Sequence, residues 1–74
     1  MSKTKQVSVF IKALHQHCKR KQTSIFSLKE LHALAKEIHL GVDHFEAFVD
    51  TLNHQNFLLH KGNRNFQVLS SEYS

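Results

Sequence analysis

The last third of the chain constrains the fold most, because a helical pattern leads directly into two short alternating segments. Over residues 43–53, apolar side chains recur at the spacing of one helix face: Phe45, Phe48, Val49 and Leu52. Residues 57–61 and 65–69 alternate as strands do, and Gly62-Asn63-Arg64 between them suits a tight turn. The sequence therefore predicts a helix followed by a β-hairpin.

Two further helices are predicted upstream. The first covers about Thr4–Arg20, where one apolar stripe is formed by Val7, Phe10, Ile11, Leu14 and Cys18. Ser27-x-x-Glu30 is a capping box that predicts the start of a second helix, and Gly41 is expected to end it. Residues 23–26 suit a brief edge strand that joins the hairpin.

The boundaries of the third helix and the buried face of the hairpin also follow from pattern. Asp43-x-x-Glu46 repeats the capping spacing and predicts the helix start. Asn53-x-x-Asn56 is expected to close the helix, since Asn tolerates the left-handed conformation of a helix end. Alternation predicts that one face of the hairpin is buried, formed by Phe57, Leu59, Phe66 and Val68.

The order helix, helix, helix, hairpin predicts an α+β winged helix, which is a helix-turn-helix core with a hairpin wing and a possible short third strand. A chain of 74 residues allows one small domain. We expect that domain to span residues 6–69, with a flexible N-terminal lead at 1–5 and a frayed tail at 70–74.

The charge of the chain is distributed unevenly. Net charge is +4, and residues 1–21 carry six Lys or Arg and no acid. Residues 22–56 carry two Lys against five acids, and residues 57–74 carry two basic residues against one acid. This distribution predicts a surface that attracts phosphate at its edges and repels it at its centre.

Composition excludes several classes of protein. No run of 18 apolar residues and no apolar stretch after Met1 is present, so neither a membrane span nor a secretory signal is expected. The single Cys18 cannot form an internal disulfide, which favours a reducing compartment. The protein is therefore expected inside the cell.

Candidate DNA contacts come from the cations and from polar residues of the third helix. They are Lys12, Lys19, Arg20, Lys21, Lys61 and Arg64, together with Thr51 and His54. The hairpin cations can reach a groove or backbone of DNA, but hairpin-tip charges also prevent edge aggregation. A run of cations at a helix end is usually solvated and is favoured there by the helix dipole. DNA binding by these residues should be salt-sensitive and weakly specific.

The third helix offers acids where a helix-turn-helix protein usually reads the major groove. Asp43, Glu46 and Asp50 share the spacing of one face, and residues 43–56 contain no Lys or Arg. Sequence-specific reading of DNA is therefore disfavoured. The acids are either helix-start residues stabilised by the dipole or a docking contact for a basic partner.

Neither a metal site nor a catalytic site is expected. His15-x-His17-Cys18 is the densest set of metal-ligating residues, but on a helix these side chains diverge. With only two glycines the chain cannot build a phosphate-binding loop, and no Ser/His/Asp or Cys/His set occurs with a glycine-rich oxyanion loop. We therefore predict no cofactor and no enzyme activity for this domain.

From Phe45 onwards the chain resembles the C-terminal winged helix of the minichromosome maintenance helicases, most closely the eighth paralogue. This part of the resemblance is carried by Phe45-x-x-Phe48-x-x-x-Leu52-Asn53-x-Gln55-x-Phe57-Leu58-Leu59-x-Lys61-Gly62-x-x-x-Phe66-Gln67-Val68. Phe10, the helix from Leu28 to Ile38 and the Val42-Asp43 turn fit the same pattern, so the resemblance covers about residues 6–69. It implies one module of a nuclear, ring-forming, ATP-driven DNA helicase whose motor lies upstream. It also implies partnership with the ninth paralogue in homologous recombination and crosslink repair.

Three functional hypotheses remain open at this point. The first is an auxiliary module that makes weak, sequence-tolerant DNA contacts in support of the motor. The second is a protein-docking module that uses the acids of the third helix or the wing. The third is a domain that merely caps the helicase ring. If the domain binds DNA, Lys61→Glu with Arg64→Glu should abolish binding and Asp50→Lys should strengthen it. If it docks a protein, Asp50→Lys should abolish capture of the partner. If it only caps the ring, none of these changes should have an effect.

Overall fold

A computed structural model of the chain describes residues 3–69. The elements are α1 (Lys3–Lys21), β1 (Ile25–Ser27), α2 (Leu28–Glu37), α3 (Phe45–His54), β2 (Leu58–His60) and β3 (Asn65–Val68). The strands form one antiparallel sheet in the order β1-β3-β2. The predicted α+β winged helix is confirmed, including the short strand before the second helix.

Helix α1 lies within one residue of its predicted bounds at each end. The predicted lead of residues 1–5 overlaps it, since Lys3, Thr4 and Lys5 are already helical. Val7, the first buried residue of α1, follows one turn after the helix start. Residues 1–2 and the predicted tail at 70–74 lie outside the described residues.

The core is formed by the apolar stripes of the three helices and the inner face of the sheet. Fully buried side chains come from every layer: Phe10 and Leu14 of α1, Leu31 of α2, Leu52 of α3, Phe26 of β1 and Leu58 of β2. The Phe10 ring meets Phe45 and Phe48 edge-on, with centroids 6.1 and 5.6 Å apart. These aromatic contacts join α1 to α3.

The start of α2 has the predicted capping box. The Glu30 amide donates to Ser27 Oγ at 3.1 Å, and the Ser27 amide donates to Glu30 Oε1 at 2.9 Å. Two amides at the helix start are thereby satisfied. Strand β1 passes into α2 without an intervening loop, because Ser27 is both the last strand residue and the cap.

The end of α2 differs from the prediction at Gly41. His39 is the residue in the left-handed conformation, with φ 58°, and its amide bonds the Lys36 carbonyl. The Leu40 amide bonds the Ala35 carbonyl, which completes a Schellman motif. The helix ends two residues early because this turn buries the Leu40 side chain.

The predicted cap at Asp43 is wrong. Helix α3 begins at Phe45, its N-cap is His44, and no side chain caps it. The His44 carbonyl accepts the Phe48 amide at 3.1 Å, so the first helical bond starts one residue later than Asp43. Asp43 therefore precedes the cap position that a capping side chain must occupy.

The predicted buried face is correct on β3 and wrong on β2. Phe66 and Val68 are buried, but Leu58 is 1% exposed whereas Leu59 is 45% exposed. Leu58 pairs directly with Val68, so the two side chains share the inner face. Asn56 has φ 65°, as predicted for the helix end.

The wing is short and is tied to the helices. Gly62, Asn63 and Arg64 all adopt positive φ, and the Lys61 amide donates to the Asn65 carbonyl at 2.8 Å. The Leu28 amide donates to the Arg64 carbonyl at 2.9 Å, which joins the wing to the first residue of α2. This bond places the Arg64 side chain near the starts of α2 and α3.

Candidate functional site

The exposed face of α1 is basic along its length. Lys5, Lys12 and Lys19 are exposed and follow one another at intervals of seven residues, which is about 10.5 Å along the axis. Arg20 and Lys21 extend this row in the last turn and are also exposed. Since α1 contains no acid, its cations are not neutralised from within the helix.

A groove of about 450 Å³ separates α1 from the second half of α3. Its walls include Lys12 of α1 and Thr51 of α3, two predicted DNA contacts that are far apart in sequence. The remaining lining residues are Thr4, Val7, Ser8, Ile11, Gln55 and Phe57. Phe57 was predicted to be a core residue only, yet it is half-buried and lines this groove.

The polar groups of α3 predicted to contact DNA are engaged within their own helix. The Thr51 hydroxyl donates to the Ala47 carbonyl at 3.1 Å, so its oxygen is left to accept. His54 Nδ1 lies 2.8 Å from the Asp50 carbonyl oxygen. A carbonyl only accepts, so Nδ1 carries the proton, and the neutral ring presents Nε2 as an acceptor. His54 can therefore donate to a phosphate only when it is protonated.

The two wing cations have different environments. Lys61 is exposed, whereas Arg64 Nη2 lies 3.4 Å from Glu46 Oε2. Both partners of this ion pair remain largely exposed, at 71% and 77% of their side-chain surface. The pair places one predicted DNA contact against one predicted docking residue.

The cations of α1 and those of the wing lie at opposite ends of the sheet. The Val68 amide donates to the Ser24 carbonyl near the end of α1, whereas Ser27 pairs with Asn65 beside the wing. The strands between are three and four residues long, so they span roughly 10 Å. The predicted DNA contacts thus form two separate basic zones.

The predicted docking acids are exposed but do not form one patch. Asp43 and Glu46 border a groove of about 640 Å³, whose lining includes His32 stacked on Phe45 with centroids 4.8 Å apart. Glu46 and Asp50 border a smaller groove of about 210 Å³ beside the hairpin. Asp43 lies in the loop before α3. Among these three acids, Glu46 is the one that borders both grooves.

The cluster at His15, His17 and Cys18 does not converge. The His17 ring contacts Phe26 with centroids 5.3 Å apart, and its Nδ1 lies 3.2 Å from Arg20 Nη2. Burial lowers the pKa of His15, which a hydrogen bond with the Leu69 backbone opposes and the Lys19 charge reinforces. Burial raises the pKa of the Cys18 thiol. Over residues 3–69, no group of three such side chains is arranged to hold a metal ion.

None of the helices described between residues 3 and 69 has the length and apolar character needed to cross a bilayer.

Comparison with known proteins identifies the family. The chain matches the family described as MCM8 winged helix domain over residues 1–70. It is 39% identical to the probable DNA helicase MCM8 of Arabidopsis thaliana over 74 residues, all of this chain and 9% of that protein. Identity to the DNA helicase MCM8 is 38% in Gallus gallus and 37% in Homo sapiens, in each case across 92% of this chain and 8% of the relative. The chain thus spans less than a tenth of these relatives. The predicted resemblance is confirmed, and the chain belongs to the MCM8 winged helix domain family.

Proposed function

We propose that this winged helix is an auxiliary DNA-binding module that makes weak, sequence-tolerant contacts through the basic face of α1. The observation that carries the proposal is the row of exposed cations along α1. Lys12, Lys19, Arg20 and Lys21 face solvent, and no acid of the same helix offsets them. Such a surface binds phosphates without reading sequence, because its affinity comes from released counterions.

Helix α3 serves mainly to pack against the core of the domain. In this proposal, DNA contacts α3 only along the edge that lies beside α1. Thr51 lines the groove that also contains Lys12. His54 lies on the exposed side of α3, with its Nδ1 engaged by the Asp50 carbonyl. The opposite edge carries Glu46 and Asp50, which repel phosphate. A duplex therefore cannot lie along α3 as it does on a typical recognition helix.

The wing forms the second, weaker basic zone. Lys61 is exposed at its tip and is available to a phosphate. Arg64 is paired with Glu46, so it contacts DNA only at the cost of that ion pair. We therefore rank Lys61 above Arg64 as a DNA contact.

The setting of the module is proposed from its relatives, which are DNA helicases by name. In our proposal the domain serves a nuclear, ATP-driven helicase in homologous recombination and DNA repair. The ring would include other subunits, with the ninth minichromosome maintenance paralogue as partner. The winged helix itself has no catalytic role, and it positions or regulates the motor on DNA.

An NMR titration of the labelled chain with short duplex and single-stranded DNA tests this function. We expect salt-sensitive shifts in the amides of residues 12–21 and at Lys61, with the acidic edge of α3 unaffected. Replacing Lys19 and Lys21 by Glu should abolish binding. Lys29→Glu and Lys36→Glu change net charge equally on α2 and serve as the matched control. Absence of shifts at low salt contradicts the proposal.

A second candidate function is protein docking. It is favoured by the groove that Asp43 and Glu46 border, because that groove combines acids with the apolar Val42 and Phe45. A basic, amphipathic segment of a partner fits this chemistry. Under this function Asp43→Lys and Glu46→Lys abolish capture of such a peptide, because both acids border that groove. Under the DNA function Asp50→Lys strengthens DNA binding, and it leaves capture of the peptide unchanged.

A further inference from the structure

We propose that the groove between α1 and α3 holds one unpaired nucleotide of single-stranded DNA, with its base inside the groove and its phosphate on Lys12. The inference rests on the proposed DNA-binding function and names the form of DNA that this site takes. It also gives a role to Phe57, which no charge argument identifies.

The size and floor of the groove suit a planar base. Its volume of about 450 Å³ lies within the range of about 300–1,000 Å³ that is common for ligand pockets. The floor is apolar and is formed by Val7, Ile11 and Phe57. Phe57 is half-buried, so its ring is fixed by the core while part of it remains accessible. A fixed aromatic ring beside a basic surface is the usual platform for an unstacked base.

The polar wall on the α3 side matches the edge of a base. The Thr51 oxygen is left to accept, since its proton is donated to the Ala47 carbonyl. Gln55 supplies an amide that both donates and accepts. An acceptor next to such an amide can pair with the mixed donors and acceptors that the Watson–Crick edge of each base displays. In a duplex the Watson–Crick edge is already paired, so only an unpaired base can use this wall.

The opposite wall supplies the phosphate contacts. Lys12 borders the groove, and Lys19 lies about 10.5 Å further along the same face of α1. The ammonium groups can therefore contact phosphates on one side of the bound nucleotide while its base enters the groove. This charge complementarity favours a nucleic acid over a peptide as the occupant, since the lining contributed by residues 3–69 includes Lys12 and no acid.

Fluorescence anisotropy with the 74-residue chain tests the inference. Three labelled probes are compared at low salt: an oligothymidine, the same backbone without bases, and a duplex of equal length. We expect the oligothymidine to bind at least about fivefold more tightly than the abasic strand. Phe57→Leu should remove that difference, and Lys12→Gln should weaken both strands equally. Lys36→Gln, an exposed lysine on α2, is the matched control and should change neither.

Phe57 also packs against the core, so Gln55→Ala serves as a second variant on an exposed residue. It should reduce binding of the oligothymidine and leave the abasic strand unchanged. Equal binding of the two strands by the wild type, or a preference for duplex, overturns the inference and leaves the proposed function intact. Failure of all three probes to bind overturns both.

Discussion

Arg64 Nη2 lies 3.4 Å from Glu46 Oε2, so a cation of the wing is paired with an acid of α3. The contact is possible because Arg64, like Gly62 and Asn63, adopts positive φ, and its carbonyl accepts the Leu28 amide. In a non-glycine residue this conformation is uncommon and must be held by surrounding contacts. The wing is thus folded towards the helices, and its charge is partly neutralised there.

Removing the acid of this pair should release Arg64 for DNA. We expect Glu46→Gln to raise DNA affinity by about two- to threefold at low salt, with a smaller effect at high salt. Stability should change by less than about 1 kcal/mol, because both side chains are largely exposed. Anisotropy at two salt concentrations measures the affinity. Glu37→Gln, at the end of α2, removes the same charge away from the wing, and an equal gain there would contradict this prediction.

The two predicted capping boxes should differ in their contributions to stability. Ser27→Ala removes an observed cap bond, and we expect it to cost about 1 kcal/mol. Asp43→Ala should cost less than about 0.5 kcal/mol, because Asp43 lies outside the cap position and is exposed. Urea denaturation of both variants measures the difference. Equal losses would mean that Asp43 caps α3 in solution.

The correct cap at Ser27 and the incorrect cap at Asp43 show what a sequence can predict in this fold. Spacing along a helix identifies its buried stripe. The stripe residues are buried as expected: Val7, Phe10, Ile11 and Leu14 of α1, and Phe45, Phe48, Val49 and Leu52 of α3. Which of several nearby residues ends a helix depends on the position at which the following side chain enters the core. Leu40 is buried, and this moves the end of α2 to His39, which no local pattern indicates.

The face of β2 was mispredicted for a related reason. Phe57, Leu58 and Leu59 are all apolar, so alternation alone does not say which is inside. The strand register decides which residue is inside, because Leu58 pairs with the buried Val68 and therefore lies on the inner face. Likewise, the surface charges were identified from sequence, but the groove that joins Lys12 to Thr51 depends on the packing of α1 against α3. Helical periodicity carries no information about that packing.

Adjacent leucines of β2 should therefore respond very differently to truncation. Leu58→Ala opens a cavity under the sheet and should cost about 2–5 kcal/mol. Leu59→Ala removes a side chain from the outer face and should cost less than about 1 kcal/mol. Chemical denaturation followed by circular dichroism measures both variants. A larger loss for Leu59→Ala would mean that the strand pairs in the other register.

Stability should fall in mild acid because of His15. Burial lowers the pKa of His15 in the folded protein, whereas in the unfolded chain it titrates near about 6.5. The unfolded state therefore binds the proton at higher pH than the folded state does. The contribution of neutral His15 is complete above about pH 6.5 and is lost as the pH falls from there to the folded-state pKa.

Urea denaturation between about pH 7 and 5 measures this dependence. His15→Gln should flatten the decrease in unfolding free energy, since no imidazole remains to be charged at that position. His44→Gln replaces an exposed histidine that makes no side-chain cap bond and should retain the wild-type slope. If His15→Gln retains the full slope, another group is responsible for the loss of stability in acid.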